Sequence, residues 1–150
     1  KIMVPLDGSK LAECVLPHVE TVVKGCDSPK VLLVRAVEPI TIPYGREAAE
    51  ITSIEELTAF EARNKADAEK YLKGIVARLR KAGVNAKADV IYGKAAEALS
   101  DFATKNEVDL VVIATHGRSG LSRLVYGSVT ASILFAVSSP IFLIKPKVRQ

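Results

Sequence analysis

The chain has no tryptophan and only four phenylalanines and four tyrosines. That is too few aromatics for the base-stacking platforms of a single-strand nucleic-acid binder. Two cysteines, Cys14 and Cys26, cannot make a disulfide framework and stand outside any CxxC spacing. With only two histidines beside them, a structural zinc site is excluded as well. No apolar run reaches the ~18 residues of a membrane span; the one at Leu110–Ala114 has the length of a strand. No basic-then-apolar leader opens the chain and Lys1 stands first, so an incomplete N-terminus and a cytoplasmic setting are expected. No G-x4-G-K-[S/T] occurs, which removes the P-loop enzymes.

What is present is a globular composition, 49% hydrophobic and 25% charged over 150 residues, which predicts one domain spanning 1–150. The net charge is +4 and the pI near 9.1. The basic residues from Arg63 to Lys87 alternate with Asp67 and Glu69, which reads as a solvated helix face and not as a nucleic-acid stripe.

Short β-branched runs alternate with longer helical patterns, the arrangement of a parallel sheet with crossover helices. The strands are expected at Ile2–Leu6, Val31–Val37, Ala86–Tyr92, Leu110–Ala114 and Ile141–Ile144. Ser9 can cap a first helix carrying Leu11, Val15, Val19 and Val22 at helical spacing, with Pro17 as its kink or weak point and Gly25 as its stop. After a Pro- and Gly-bearing loop, Ser53 and Glu56 form a capping-box pattern. The helix that follows puts Leu57, Phe60, Asn64, Tyr71, Ile75 and Leu79 on roughly one face and ends before Gly83. Two further helices are expected at Ala95–Lys105 and Ser128–Ala136.

Ligands of open parallel sheets bind beyond the carboxyl ends of the strands, where strand order reverses. Two loops there carry chemistry: Pro5-Leu6-Asp7-Gly8-Ser9, and the stretch from Ala114-Thr115-His116-Gly117-Arg118-Ser119-Gly120 to Gly127-Ser128-Val129-Thr130. Gly117, Gly120 and Gly127 either let backbone amides approach a ligand or simply permit turns. Gly127-Ser128 opens a helix whose free N–H groups suit a phosphate, and Ser128 and Thr130 add hydroxyls. Asp7 reads as an acceptor for ribose hydroxyls or for Mg²⁺-bound water, or else as a carboxylate favoured by a helix N-terminus. His116 has no nucleophile or carboxylate placed beside it and reads as scaffold; Cys14 reads as packing and His18 as surface. Arg118 and Arg123 are phosphate donors or solvent-facing loop charges.

Ala114-Thr115-His116-Gly117, nine residues, then Gly127-Ser128 resembles the G-x2-G-x9-G-[S/T] signature of the ATP-binding universal stress proteins, with Ala114 in place of the first glycine. The resemblance extends through Val4–Ser9, Arg35-Ala36-Val37-Glu38, Val108–Ile113 and Ser139–Ile144. It implies a Rossmann-like α/β three-layer sandwich, a five-stranded parallel sheet of order 3-2-1-4-5 with four helices. It puts adenine near Pro5, Ala36 and Ile113, ribose near Asp7 and Gly127, and phosphates on Gly117, Gly127, Ser128, Val129 and Thr130. Leu6, Ala114, His116, Arg118 and Gly120 complete the nucleotide-binding set. Ala114 reduces the room there, and would resist a positive φ by roughly 1 kcal/mol. The implied function is a cytoplasmic ATP-binding stress-response regulator, with Mg²⁺ held mainly by the phosphates and no protein metal site. It also implies a homodimer through Ile141–Ile144, an edge strand in that order, with neither nucleic acid nor membrane as partner. The competing readings are a slow ATPase and a dimeric scaffold that binds no nucleotide. A pyrophosphatase-type S-G-G loop is missing after the first strand, and a receiver domain lacks its aspartate at Tyr92-Gly93.

Overall fold

A computed structural model describes residues 1–39, 54–115 and 128–146. Five strands form one parallel sheet: β1 (Ile2–Pro5), β2 (Val31–Val37), β3 (Ala86–Tyr92), β4 (Leu110–Ala114) and β5 (Ile141–Ile144), in the order β3-β2-β1-β4-β5. The helices are α1 (Leu16–Val23), α2 (Ile54–Lys81), α3 (Ala95–Lys105) and α4 (Ser128–Ala136). Sheet order, strand direction and helix number agree with the expectation.

β1 is the spine. It pairs Ile2 with both Val31 and Leu110, and Met3 with Leu32 and Val111. All four of its residues are buried, which is why it shows no polar alternation. Its side chains alternate between two cores. Ile2 and Val4 join Val15, Val19, Leu72 and Leu79 on the α1–α2 face. Met3 joins Val34, Leu99, Val111 and Ile133 on the α3–α4 face.

The first expected strand stops one residue early, at Pro5, because the chain turns at Asp7-Gly8, where Gly8 takes φ +89°. Ser9 does cap: its Oγ accepts the Ala12 amide at 3.1 Å. What it caps is a 3-10 turn, Ala12–Val15, and α1 begins only at Leu16. Pro17 is therefore the second residue of α1 and not an interior kink. Its missing N–H falls in the first turn, where the amides of an α-helix have no intrahelical acceptor, so no helix hydrogen bond is lost.

The expected apolar face of α2 is corrected over its first half. The helix has 28 residues, about 42 Å at 1.5 Å each, against about 23 Å for a seven-residue strand. Its buried residues are Ala68, Leu72, Ile75 and Leu79, while Ile54 is 83% and Phe60 51% exposed. The amino-terminal half overhangs the carboxyl edge of the sheet, so an apolar residue there has no strand beneath it. The helix ends in a Schellman cap, with the Gly83 amide on the Arg80 carbonyl and the Val84 amide on the Leu79 carbonyl. Gly83 takes φ +83° to allow it. Ser53 of the expected capping box lies outside the described residues.

Candidate functional site

The helices that follow β1 and β4 go to opposite faces of the sheet, so a crevice opens between them at its carboxyl edge. A cavity of about 640 Å³ occupies that place, within the ~300–1,000 Å³ typical of small-molecule sites. Pro5, Leu6, Asp7, Ala36, Ile113, Ala114, Ser128, Val129 and Thr130 all line it. The structure thus brings together nine residues that the sequence places in two separate loops and a strand end. His116, Gly117, Arg118, Gly120 and Gly127 lie outside the described residues.

The cavity has two characters. On the α3–α4 face, Val34, Ala36, Leu99 and Ile113 form an apolar lobe continuous with the core on that side. On the α2 face, Asp7, Arg35, Asn64 and Asp67 form a polar one. An Asx turn holds Asp7: its Oδ1 accepts the Ser9 amide at 2.9 Å. Asp7 lines the cavity and stands before the Ser9-capped turn.

Ala114 is the last residue of β4, pairs with Ile144, and its φ is not positive. The backbone penalty expected for alanine at this position therefore does not arise. Only the methyl group matters, and it lines the cavity. Thr130 lines the cavity too, and its buried hydroxyl donates to the Ala114 carbonyl at 3.0 Å, tying the first turn of α4 to the end of β4. Thr115 continues the edge by donating its amide to the Ile144 carbonyl at 2.8 Å.

Arg35, Glu38, Asn64 and Asp67 line the cavity and are missing from the sequence-derived set. Arg35 carried a signal: it is the one charge in an otherwise apolar Val31–Val37 strand. Its guanidinium lies over the Tyr71 ring, 5.6 Å from the centroid. Glu38 caps α3, its Oε1 accepting the Ala95 amide at 3.2 Å. Below the polar lobe, Glu13 has a side chain only 9% exposed and ion-pairs with Lys10 at 3.1 Å and Arg78 at 3.5 Å. Tyr71 Oη donates to the same carboxylate at 3.5 Å. Burial, then the Glu13 and Asp7 carboxylates, push the Tyr71 phenol up to about 12, with Arg35 acting in the opposite sense. Cys14 is half-buried and burial raises its thiol pKa, which agrees with packing and not with a reactive thiolate. His18 is exposed, as expected. Among the described residues no group of three or more His, Cys, Asp or Glu side chains could hold a metal ion, and no helix is long and apolar enough to cross a membrane.

Comparison with solved structures finds the same fold. The structure of protein MJ0577 of Methanocaldococcus jannaschii superposes with a TM-score of 0.82 at 24% identity, covering 99% of this chain and 96% of that one. A universal stress protein in complex with cAMP gives 0.67 at 17%, covering 97% and 96%. An Arabidopsis thaliana family protein with AMP bound gives 0.68 at 18%, covering 98% and 92%. In sequence, universal stress protein MJ0577 is 26% identical over 98% of this chain and 95% of its own length. The model of the universal stress protein family matches residues 1–145, and this chain belongs to that family.

Proposed function

We propose that this chain is an adenine-nucleotide-binding regulatory protein of the stress response, with ATP as its ligand. The observation that carries the reading is the single cavity that gathers the ends of β1, β2 and β4 with the first turn of α4. Its apolar lobe suits a purine, Asp7 suits the ribose hydroxyls, and the first-turn amides of α4 suit phosphate oxygens. Gly117 and Gly127 are assigned to the phosphates with them, and Leu6, Ala114, His116, Arg118 and Gly120 to the surrounding wall. The relatives of this fold that hold cAMP and AMP support the class of ligand. Mg²⁺ would arrive with the nucleotide, since Asp7 alone supplies too few ligands. The protein acts as a binder and not as a catalyst: bound ATP should be recovered as ATP, whereas recovery as ADP would assign slow hydrolysis.

ATP at ~100 times its dissociation constant should add about 2.7 kcal/mol of stability, roughly a 5–11 °C rise in melting temperature for a chain of this size. Ala36→Phe should fill the apolar lobe and remove the shift. A wild-type protein unshifted by millimolar ATP, ADP and AMP would refute the reading and leave the scaffold.

The reading includes a cytoplasmic setting, supported by two free cysteines. It also includes a homodimer through β5, supported by the edge position of that strand, by Phe142 upon it at 41% exposure and by Phe135 of α4 at 93%. Light scattering should give twice the chain mass of 16.1 kDa; the monomer mass at micromolar concentration would refute the dimer.

A further inference from the structure

Arg35 is the one cation among the described residues that line the cavity, and the nucleotide reading leaves it without a task. A methyl group built on Gly8 would lie 3.0 Å from Arg35 Nη1, 3.2 Å from Cζ and 3.4 Å from Nη2. Were the guanidinium edge-on, Cζ would be the farthest of the three; its middle place means that a flat face lies against Gly8. On the α2 side Cζ sits over the Tyr71 ring, 5.6 Å from the centroid. Neither contact spends an N–H donor, since one is with a face and the other is attraction to a ring. Among the described residues no hydrogen bond or ion pair engages those donors either. Glu38 accepts the Ala95 amide and Asp7 the Ser9 amide, and neither pairs with Arg35. A guanidinium carries five donors in its plane, a fork that matches phosphate oxygens. Here the fork is held in place, its donors are unspent, and it lines a ligand-sized cavity.

We propose that the polar lobe is a second phosphate subsite, in which Arg35 holds a phosphomonoester carried on the 2′ or 3′ oxygen of the bound ribose. The proposal rests on the adenine-nucleotide reading of the cavity. In that reading the purine fills the apolar lobe and the 5′-phosphates run to the first turn of α4, both on the α3–α4 face. The hydroxyl edge of a ribose ring lies away from the base and the 5′ carbon, so it is turned toward the Asp7 loop and the α2 face. Gly8, next to Asp7, is the residue against which the guanidinium lies. Asp7 takes the free hydroxyl and Arg35 the phosphorylated one, two roles that need opposite charges. Dinucleotide sites divide the work in the same way, with an acidic residue on a ribose hydroxyl and an arginine on a ribose phosphate. The 5′ chain ends elsewhere. Arg35 stands on β2 and α4 follows β4, with β1 between the two strands; two strand spacings are about 9–10 Å.

The test compares AMP, adenosine 2′,5′-bisphosphate, adenosine 3′,5′-bisphosphate and ATP by calorimetry on wild type, Arg35→Ala and Arg35→Lys. At least one bisphosphate should bind wild type about tenfold or more tighter than AMP, the scale of a hydrogen bond to a charged group. Arg35→Ala should abolish that gain and leave AMP within about twofold. Arg35→Lys keeps the charge without the fork and should restore only part of it. Bisphosphates no tighter than AMP, or a gain that survives Arg35→Ala, would overturn the proposal. Full rescue by lysine would overturn the fork in favour of diffuse charge attraction. A loss in Arg35→Ala that is larger for ATP than for AMP would overturn it in favour of the 5′ chain reaching Arg35. Should Arg35→Ala fail to fold, Arg35→Gln must show the same loss of the gain, and the wild-type comparison needs no variant at all. A wild type that binds none of the four ligands would refute the cavity reading itself, whereas AMP binding without a bisphosphate gain sinks only the second subsite.

Discussion

Thr130→Val separates a structural hydroxyl from a ligand-binding one. The two side chains have nearly the same shape, so the substitution removes the hydrogen bond to the Ala114 carbonyl and little else. An average hydrogen bond is worth about 0.5–1.5 kcal/mol net, and leaving a buried acceptor unsatisfied raises the cost to about 1–3 kcal/mol. Thr130 is 5% exposed, so water cannot readily replace the lost donor, and the upper range applies. At roughly 2–4 °C per kcal/mol for a chain of this length, the melting temperature should fall by about 2–12 °C. Thr130→Ser keeps the donor and loses one methyl, which should cost only about 1 kcal/mol. Calorimetric scans of the three proteins with and without ATP complete the comparison. Because the hydroxyl proton is directed at Ala114, Thr130→Val should change nucleotide affinity less than about threefold. A tenfold loss of affinity with an unchanged melting temperature would refute the reasoning, since the proton would then belong to the ligand.

Leu72→Ala should cost about 2–5 kcal/mol by opening a cavity in the α1–α2 core, whereas Phe60→Ala on the overhanging half of α2 should stay within about 0.5 kcal/mol; urea midpoints distinguish them. Gly83→Ala should cost about 1 kcal/mol from φ alone, because an added Cβ meets nothing within 4 Å; an unchanged urea midpoint would show that the Schellman cap contributes nothing. Tyr71 titrates near 12 in the folded chain against an ordinary value of 10. A raised folded-state pKa stabilises below the unfolded value and is lost as pH rises through the folded one, so Tyr71 should contribute stability that disappears between about pH 10 and 12. Phenolate absorbance should show Tyr71 titrating late, and Tyr71→Phe should remove both that late phase and that part of the alkaline stability loss.

The fold was legible because its central strands are buried on both faces and read as unbroken apolar runs, Ile2–Pro5 and Leu110–Ala114 above all. Helix faces were harder. Periodicity in α2 puts Leu57, Phe60 and Leu79 on one side equally well, and only the length of the strands decides which of them meets the sheet. Pro17 was read as a defect because the 3-10 turn before it leaves no hydrophobic signature of its own. The site divides in the same way. Residues at strand ends could be found from the topology rule, since β1 and β4 bring their own loops to the edge. Asn64 and Asp67 reach the cavity from mid-helix, across a contact that no local spacing encodes.

The two lobes of the cavity follow from the alternation of side chains along β2. Val34 and Ala36 face the α3–α4 core and Arg35 faces α2, so consecutive residues of one strand serve opposite sides of the crevice. A one-residue slip of β2 against β1 would exchange them, burying a guanidinium among Leu99 and Val111 and turning Ala36 toward Tyr71. The desolvation of that charge without a partner opposes the slip strongly. Val34 is fully buried in one cluster with Met3 and Val111, which fixes the same register from the apolar side. Strand register and the polarity of the cavity are therefore one constraint. The charge that interrupts an apolar strand, costly anywhere else along it, is tolerated at Arg35 because the strand there reaches the open edge of the sheet.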